Sequence, residues 1–341
     1  GGGGEGDEGG PRGGRMRGAG RGLLRAGLLL GAVARARGAG ARLAAAVETL
    51  AAGLRFAEGP VWVPGRPAGA LDPALPPATL LFSDIPADAL YAWSEARGLE
   101  VFAGASGGSN GNLLDAEGRL VSCRHGGRDL AVWSMNGTSA AEPTAEVLAS
   151  SFGGRRLNSP NDAALHPADG SIYFTDPSWG IIDEPVEAQE LPFHGVFRLD
   201  PHTKNVSLVL DNLAMPNGIA FSPGGDVLYV SDTGGRADHA NPAFATAEPP
   251  ATIRAYALVD GAVASPDSPL WTVRDFSDGM CLSADGGLWT TRGGSAEPAL
   301  GEKGLVLRDP ATGAEKGLVP LEDPPTNVEC ATESGGLLVT A

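Results

Sequence analysis

An all-β fold, a six-bladed β-propeller, is what this sequence predicts, and three observations predict it. Short β-rich runs bounded by Gly, Asp and Pro recur from residue 54 onward, while a helical period is hard to find. Six of these runs align: ATLLFSDI (78–85), GRLVSC (118–123), GSIYFTD (170–176), DVLYVSD (226–232), GGLWTT (286–291) and GGLLVTA (335–341). The alignment puts Leu81, Val121, Tyr173, Tyr229, Trp289 and Leu338 in one register, at spacings of 40, 52, 56, 60 and 49 residues. A period of about 50 residues with several strands per unit is that of a propeller blade. The composition agrees, with Gly 51 and Pro 27 among 341 residues beside 42% hydrophobic content, the balance of a turn-dense β protein.

Taken in chain order, residues 1–50 read as a leader outside the fold. They open with Gly/Arg low complexity, and residues 11–47 hold eight arginines and no acid. That character resembles an organellar transit peptide, and LLLGAVARA resembles a short signal-peptide core. Cytoplasmic, organellar and secreted locations all stay open. Residues 51–341 carry the six units, and ALYAWS, DLAVWSM, GVFRLDP, TIRAYAL and GLVLRDP supply further strands at hairpin distance. The sequence stops at Leu338-Val339-Thr340-Ala341, in what reads as the middle of a strand, so the last blade is expected to be incomplete with an exposed edge.

Asp+Glu 41 against Lys+Arg 25 gives a formal charge of −16, and without the first fifty residues the body carries −20. Such a body repels phosphate backbones and attracts cations, which excludes nucleic acid as a partner. No stretch after the leader approaches the roughly 20 apolar residues of a spanning helix, so no membrane partner is expected either. Oligomeric state leaves no signature. Cys123, Cys281 and Cys330 lie far apart without a CxxC and are expected to be small buried residues, with neither a disulfide framework nor a zinc site signalled.

A sharper regularity lies upstream of each register position. Asn110-Gly111, Asn161-Asp162, Asn217-Gly218, Asp278-Gly279 and Asn327-Val328 fall 11 or 12 residues before it, and Glu58 precedes Leu81 by 23, across a presumed insertion at 64–77. Innermost strands line a propeller's channel, so Glu58, Asn110, Asn161, Asn217, Asp278 and Asn327 would converge on one mouth. Two carboxylates with amide oxygens, and no sulfur or histidine, suit a hard divalent cation: calcium first, with zinc, magnesium or manganese as alternatives. The competing explanation is that Asn-Gly and Asp-Gly are simply turns. Separate turns at 115–118, 167–170, 223–225 and 284–286 already supply the hairpins, which weakens it. Asp84, Asp176 and Asp232 end aligned strands at one phase and are expected to close hydrogen bonds between blades. His125, in CRHGGR, either lines the pocket or is satisfied by backbone at a strand end. His166, His194, His202 and His239 are expected at the surface. No HExxH or GxSxG motif is present.

AEGPVW (57–62), LLFSDIP (80–86), SNGNLLD (109–115), RLNSPNDAALHPADGSIYFTDPSWG (156–180), MPNGIAFSPGGDVLYVSDT (215–233) and DGMCLSADGGLW (278–289) resemble the gluconolactonase branch of the family that also contains regucalcin. The resemblance runs in order from about residue 54 to 341. It implies a six-bladed propeller with a divalent metal in its channel, hydrolysing sugar lactones. Carried over, the metal ligands are Glu58, Asn217 and Asp278, with Asn161 at or beside the metal; Asn161, Asn110 and His125 contact substrate. Asp278 is also the proton acceptor, its alternative being a ligand only. One departure is that animal regucalcins place an arginine two residues before the channel asparagine, where this chain has Ser159. Rival expectations are a metal-dependent phosphotriesterase or arylesterase on the same channel, and a non-catalytic calcium-binding propeller scaffold.

Overall fold

Residues 26–31, 41–43, 45, 47–64, 78–134, 143–234, 250–293, 301–331 and 336–341 are described by the computed structural model of the protein. Alternating side chains send successive residues to opposite faces of each strand, so every sheet has two faces to cover. Six sheets of four or more strands cover one another in a ring. Blade 1 is Ala57–Val63, Thr79–Asp84, Ala89–Ser94 and Gly98–Gly104. Blade 2 is Ser109–Leu114, Leu120–Arg124, Asp129–Ser134 and Thr144–Ala149. Blade 3 is Ala163–Leu165, Ile172–Asp176, His194–Leu199 and Val206–Leu213.

Blade 4 is Pro216–Phe221, Val227–Asp232, Thr252–Val259 and Trp271–Arg274, with Ala262–Val263 beside its third strand. Blade 5 is Met280–Leu282, Leu288–Arg292, Gly304–Arg308 and Glu315–Pro320, extended by Ala41–Arg42 in parallel. Blade 6 is ordered Asn327–Ala331, Gly336–Thr340, Ala26–Gly31 and Val47–Leu54. The six register residues all lie on second strands. The first strands touch in the cycle 1, 2, 3, 4, 5, 6 and back to 1.

One apolar cluster fills each of the six gaps between blades. Val61, Leu81, Leu90, Leu120 and Trp133 join blades 1 and 2. Leu130, Phe174 and Phe197 join 2 and 3, and Tyr173, Phe221 and Tyr256 join 3 and 4. Ala220, Tyr229 and Leu288 join 4 and 5. Trp289, Leu305 and Val339 join 5 and 6, and Phe82, Leu54 and Leu338 close the ring from 6 to 1. Each blade interface removes several large side chains from water, at roughly 1.5–3 kcal/mol each.

Two expectations are corrected here. The last blade is not left with an open edge, because Leu28–Gly31 pairs with Leu337–Thr340 and Ala26–Gly31 pairs with Val47–Leu54. Residues 26–31, 41–42 and 47–50 therefore belong to the sheets and not to a leader outside them. The physical reason is that a third blade-6 strand is needed to pair the backbone of Gly336–Thr340, and the first part of the chain supplies it. The presumed insertion falls mostly outside the described residues. The second correction concerns cysteine: Cys281 and Cys330 form a disulfide between the first strands of blades 5 and 6, and Cys123 alone is a free buried thiol. Among the described residues no helix is long and apolar enough to cross a membrane.

Deleting residues 1–40 removes the strand that joins Gly336–Thr340 to Val47–Leu54, and should lower the melting temperature by roughly 10 °C or more; an unchanged melt would show that this strand does not close the ring. The disulfide spans 49 residues, so the double substitution Cys281→Ser, Cys330→Ser should cost about 2–4 kcal/mol in a denaturant titration. A midpoint equal to that of the oxidised parent would contradict the cross-link.

Candidate functional site

Where the first strands meet the axis their regular pairing breaks. Pairing shifts between Glu58 and Val61, between Ser109 and Asn112, and between Pro216 and Ile219, so Glu58, Asn110 and Asn217 each sit at a bulge. A bulge re-aims a side chain out of the sheet's alternation. The glycines that follow are points of close approach and not turns. A Cβ on Gly218 would stand 2.3 Å from the Asp278 carbonyl oxygen, and one on Gly279 would stand 1.8 Å from Asn327 Oδ1. The hairpins lie where the sequence placed them, closed by Gly118 N–H to Asp115 O at 2.8 Å, Gly170 N–H to His166 O at 3.0 Å, Gly225 N–H to Ser222 O at 2.9 Å and Gly286 N–H to Ser283 O at 2.8 Å.

A belt of hydrogen bonds then fixes these residues from one blade to the next. Ser83 Oγ donates to Asn110 O at 2.8 Å, Thr175 Oγ1 to Asn217 O at 2.8 Å, Ser231 Oγ to Asp278 O at 3.0 Å, and Thr326 Oγ1 to Ala57 O at 2.7 Å. Hydroxyls, not the strand-end acids, make these inter-blade bonds. The acids act within their own blades. Asp84 accepts from Arg55 and Phe56 N–H at 2.9 and 3.2 Å, Asp176 from Asn158 and Ser159 N–H at 2.8 and 2.8 Å, and Asp232 from Ala214 and Met215 N–H at 3.0 and 2.8 Å. Each carboxylate thus holds the two peptide groups just ahead of Glu58, Asn161 or Asn217. Blade 5 inverts the charges: Asp275, ahead of Asp278, receives the Arg292 guanidinium at 2.6 Å and is bonded by Arg308.

The result is a cavity of about 300 Å³ at one mouth of the channel. Glu58, Asn110, His125, Asn161, Asn217 and Asp278 line its polar part. Every residue assigned to the site from sequence is therefore in one cavity. Phe56, Ile85, Trp179, Thr233 and Phe276 complete the lining from segments that enter or leave the strands at that end. Asn327 sits beneath, its amide hydrogen-bonded to Glu58 and Asp162. His125 is buried, and burial lowers it to about 4, so it is neutral at pH 7. The Asn110 amide donates to its Nε2 at 2.9 Å and the Asn161 amide at 3.4 Å, which leaves the proton on Nδ1. His125 is thereby the acceptor that sets both amides. His194, expected at the surface, is buried and bonded to the Ala214 carbonyl, whereas His202 is exposed and His239 lies outside the described residues.

Sequence reasoning assigned no role to Asp162. It is buried and close enough to raise both Glu58 and Asp278; the available signal was an aspartate where Glu58, Asn110, Asn217 and Asp278 are followed by glycine. Burial pushes Asp162 up to about 7. Burial pushes Asp278 up to about 7, the Asp162 charge adds to it, and a hydrogen bond from Asn217 opposes it. Glu58 is held well above the usual carboxylate range by burial, then by Asp278 and Asp162. No basic side chain is among the groups acting on these three acids. Among the described residues no set of three or more His, Cys, Asp and Glu forms a metal-binding group. A cation here would instead rely on two carboxylates and two amides, Glu58, Asp278, Asn161 and Asn217, an oxygen-only set that fits a hard divalent ion and would offset the repulsion.

These shifts carry a sign. An acid raised to about 7 favours folding while it stays protonated, and that contribution is lost as pH climbs from about 4, its unfolded value, through 7. A divalent ion requires the ionised carboxylates. Added calcium should therefore raise the melting temperature more at pH 8 than at pH 5, and an increment that is larger at pH 5 would contradict the placement of these acids.

Residues 56–299 match the family described as the SMP-30/Gluconolactonase/LRE-like region. A curated gluconolactonase of Zymomonas mobilis is 32% identical over 211 residues, 58% of this chain and 53% of its own length, so the chain spans about half of that relative. A lactonohydrolase of Aspergillus oryzae is 34% identical over 91 residues, 24% of this chain and 19% of its own length. Among solved structures, a gluconolactonase from Xanthomonas campestris superposes with a TM-score of 0.66 at 28% identity, covering 91% of this chain and 96% of that one. The calcium-binding protein regucalcin from Agrobacterium tumefaciens shares the fold at 18% identity with a TM-score of 0.56, covering 84% and 82%. With residues 56–299 matched by that family's model, the chain belongs to the SMP-30/gluconolactonase family.

Proposed function

We propose that the protein is a divalent-metal-dependent hydrolase that opens small lactones, with Glu58, Asn161, Asn217 and Asp278 holding the ion and Asp278 taking the proton of the attacking water. The observation that carries this reading is the gathering of both carboxylates and the asparagine amides around one cavity with no basic counter-charge acting on the acids. Gluconolactonase and lactonohydrolase relatives support the cyclic ester as substrate class.

A bound divalent cation supplies Lewis-acid polarisation of an ester carbonyl and charge compensation for the acids. The chain's own residues do the rest. Beside a cation, Asp278 would keep its carboxylate ionised at neutral pH and able to take a proton from an adjacent water, and Asn217 holds that carboxylate through a hydrogen bond. Neutral His125 fixes the Asn110 and Asn161 amides with their N–H groups turned to the ring, leaving both oxygens for other partners. A water proton passes to Asp278, the water oxygen bonds to the carbonyl carbon, and the ring C–O bond breaks. Asp278 gives that proton to the departing ring oxygen, which restores its carboxylate, and the product is an open-chain hydroxy acid.

Turnover should require a divalent cation and stop on addition of chelator. Asp278→Asn should lower kcat by roughly 10²–10⁴ at saturating calcium, whereas Glu58→Gln should chiefly weaken calcium binding by roughly tenfold or more in a calorimetric titration. An Asp278→Asn variant with full rate removes Asp278 from its role. Hydrolysis of aryl or phosphate esters but not lactones would make the site an arylesterase or phosphotriesterase, and calcium binding without any turnover would make the propeller a scaffold.

A further inference from the structure

The lining of the cavity divides by chemistry and by position. Polar groups sit on or beside the first strands, and their N–H donors are committed to one another: those of Asn110 and Asn161 to His125, and that of Asn217 to Asp278. The remaining lining is Phe56, Ile85, Trp179, Thr233 and Phe276, among which Thr233 offers the single hydroxyl, already donated to Met215 O at 3.0 Å. Among the described residues, this mouth therefore presents three aromatic rings and an isoleucine where a polyhydroxylated ring would place its hydroxyl groups.

Ser159 strengthens the contrast. It is fully buried, its Oγ donates to Pro177 O at 2.6 Å and accepts the Gly180 N–H at 2.9 Å, so its hydrogen-bonding capacity is spent on the turn that carries Trp179. That turn also presses on the site: a Cβ at Gly180 would stand 2.8 Å from the Cβ atoms of both His125 and Ser159. Glycine at 180 and serine at 159 together bring Trp179 in against the His125 side of the cavity. A position two residues from Asn161 thus seats an aromatic wall.

A hydroxyl moved from water into such a setting without a partner weakens binding, while each buried methylene strengthens it. We propose that the preferred substrate is a lactone whose ring bears an alkyl or aryl substituent, its ester group over the axial polar residues and its substituent against Phe56, Ile85, Trp179 and Phe276. This inference rests on the lactonase reading and names the substrate class within it. A cavity of about 300 Å³ lies at the small end of ligand sites, which suits a single ring with a short chain.

The test uses the full chain in saturating calcium with two substrates, glucono-δ-lactone and a δ-lactone carrying a short unbranched alkyl chain. The proposal expects kcat/KM for the alkyl lactone to be larger by roughly tenfold or more, the gain lying mainly in KM. Trp179→Gln and Phe276→Gln should each reduce that preference by roughly three- to tenfold. Binding of the matching alkyl δ-lactam, which resists hydrolysis, should weaken in the same two variants when followed by calorimetry. A preference for glucono-δ-lactone, or a preference that both variants leave intact, overturns the substrate class while leaving the lactonase reading standing. Failure to open any lactone, with calcium still bound, sinks the reading beneath it as well.

Discussion

Buried like charge on a shared axis is the constraint around which this structure is arranged. Glu58, Asp162 and Asp278 come from three different blades; Glu58 and Asp162 are buried and Asp278 partly so, burial raises the proton affinity of all three, Asp162 adds to it at Asp278, and both aspartates add to it at Glu58. Nothing in a β-sheet requires such a cluster, and burial of uncompensated carboxylates disfavours it. The molecule commits much of its polar architecture to holding it. Strand bulges turn the side chains inward, glycines let neighbouring strands approach, hydroxyls bridge four of the six blade junctions and backbone N–H groups the other two, and strand-end aspartates grip the peptides ahead. The same device appears with reversed charges in blade 5, where Asp275, in the segment ahead of the first strand, meets Arg292 and Arg308.

The ring explains why this can be stable. Six apolar clusters, one per gap, make every blade depend on two neighbours, and no sheet of the ring lacks a covered face. Closure is the vulnerable step, because blade 6 takes two strands from each end of the sequence. It is reinforced by the Cys281–Cys330 cross-link, which joins first strands of blades 5 and 6 three residues beyond Asp278 and Asn327 respectively. The link between closure and site is direct: loosening blade 6 would loosen the support under Glu58 and Asp278.

Local pattern made the repeats and the axial residues legible. Tyr173, Tyr229 and Leu338 share a register because second strands are equivalent by construction, and Asn110, Asn217 and Asp278 keep a fixed interval from it because the first hairpin has a nearly constant length. The pairing of Ala26–Gly31 with Gly336–Thr340 was not legible, since it joins segments some three hundred residues apart and one of them is hidden in Gly/Arg/Ala-rich sequence. Distance also hid the disulfide, whose partners carry no local signature. His125 could be noticed as an isolated motif, but its acceptor role depends on two amides from different blades. Trp179 and Phe276 lie on segments outside the repeat, where phase gives no guidance.

Calcium-loaded crystals of the full chain would probe the axial site most directly. One ion per chain, bonded at roughly 2.3–2.6 Å to side-chain oxygens of Glu58, Asn161, Asn217 and Asp278, is the result expected of a hard-cation centre. An ion held elsewhere, or calcium at high concentration leaving those four side chains bonded only to protein and water, would contradict it.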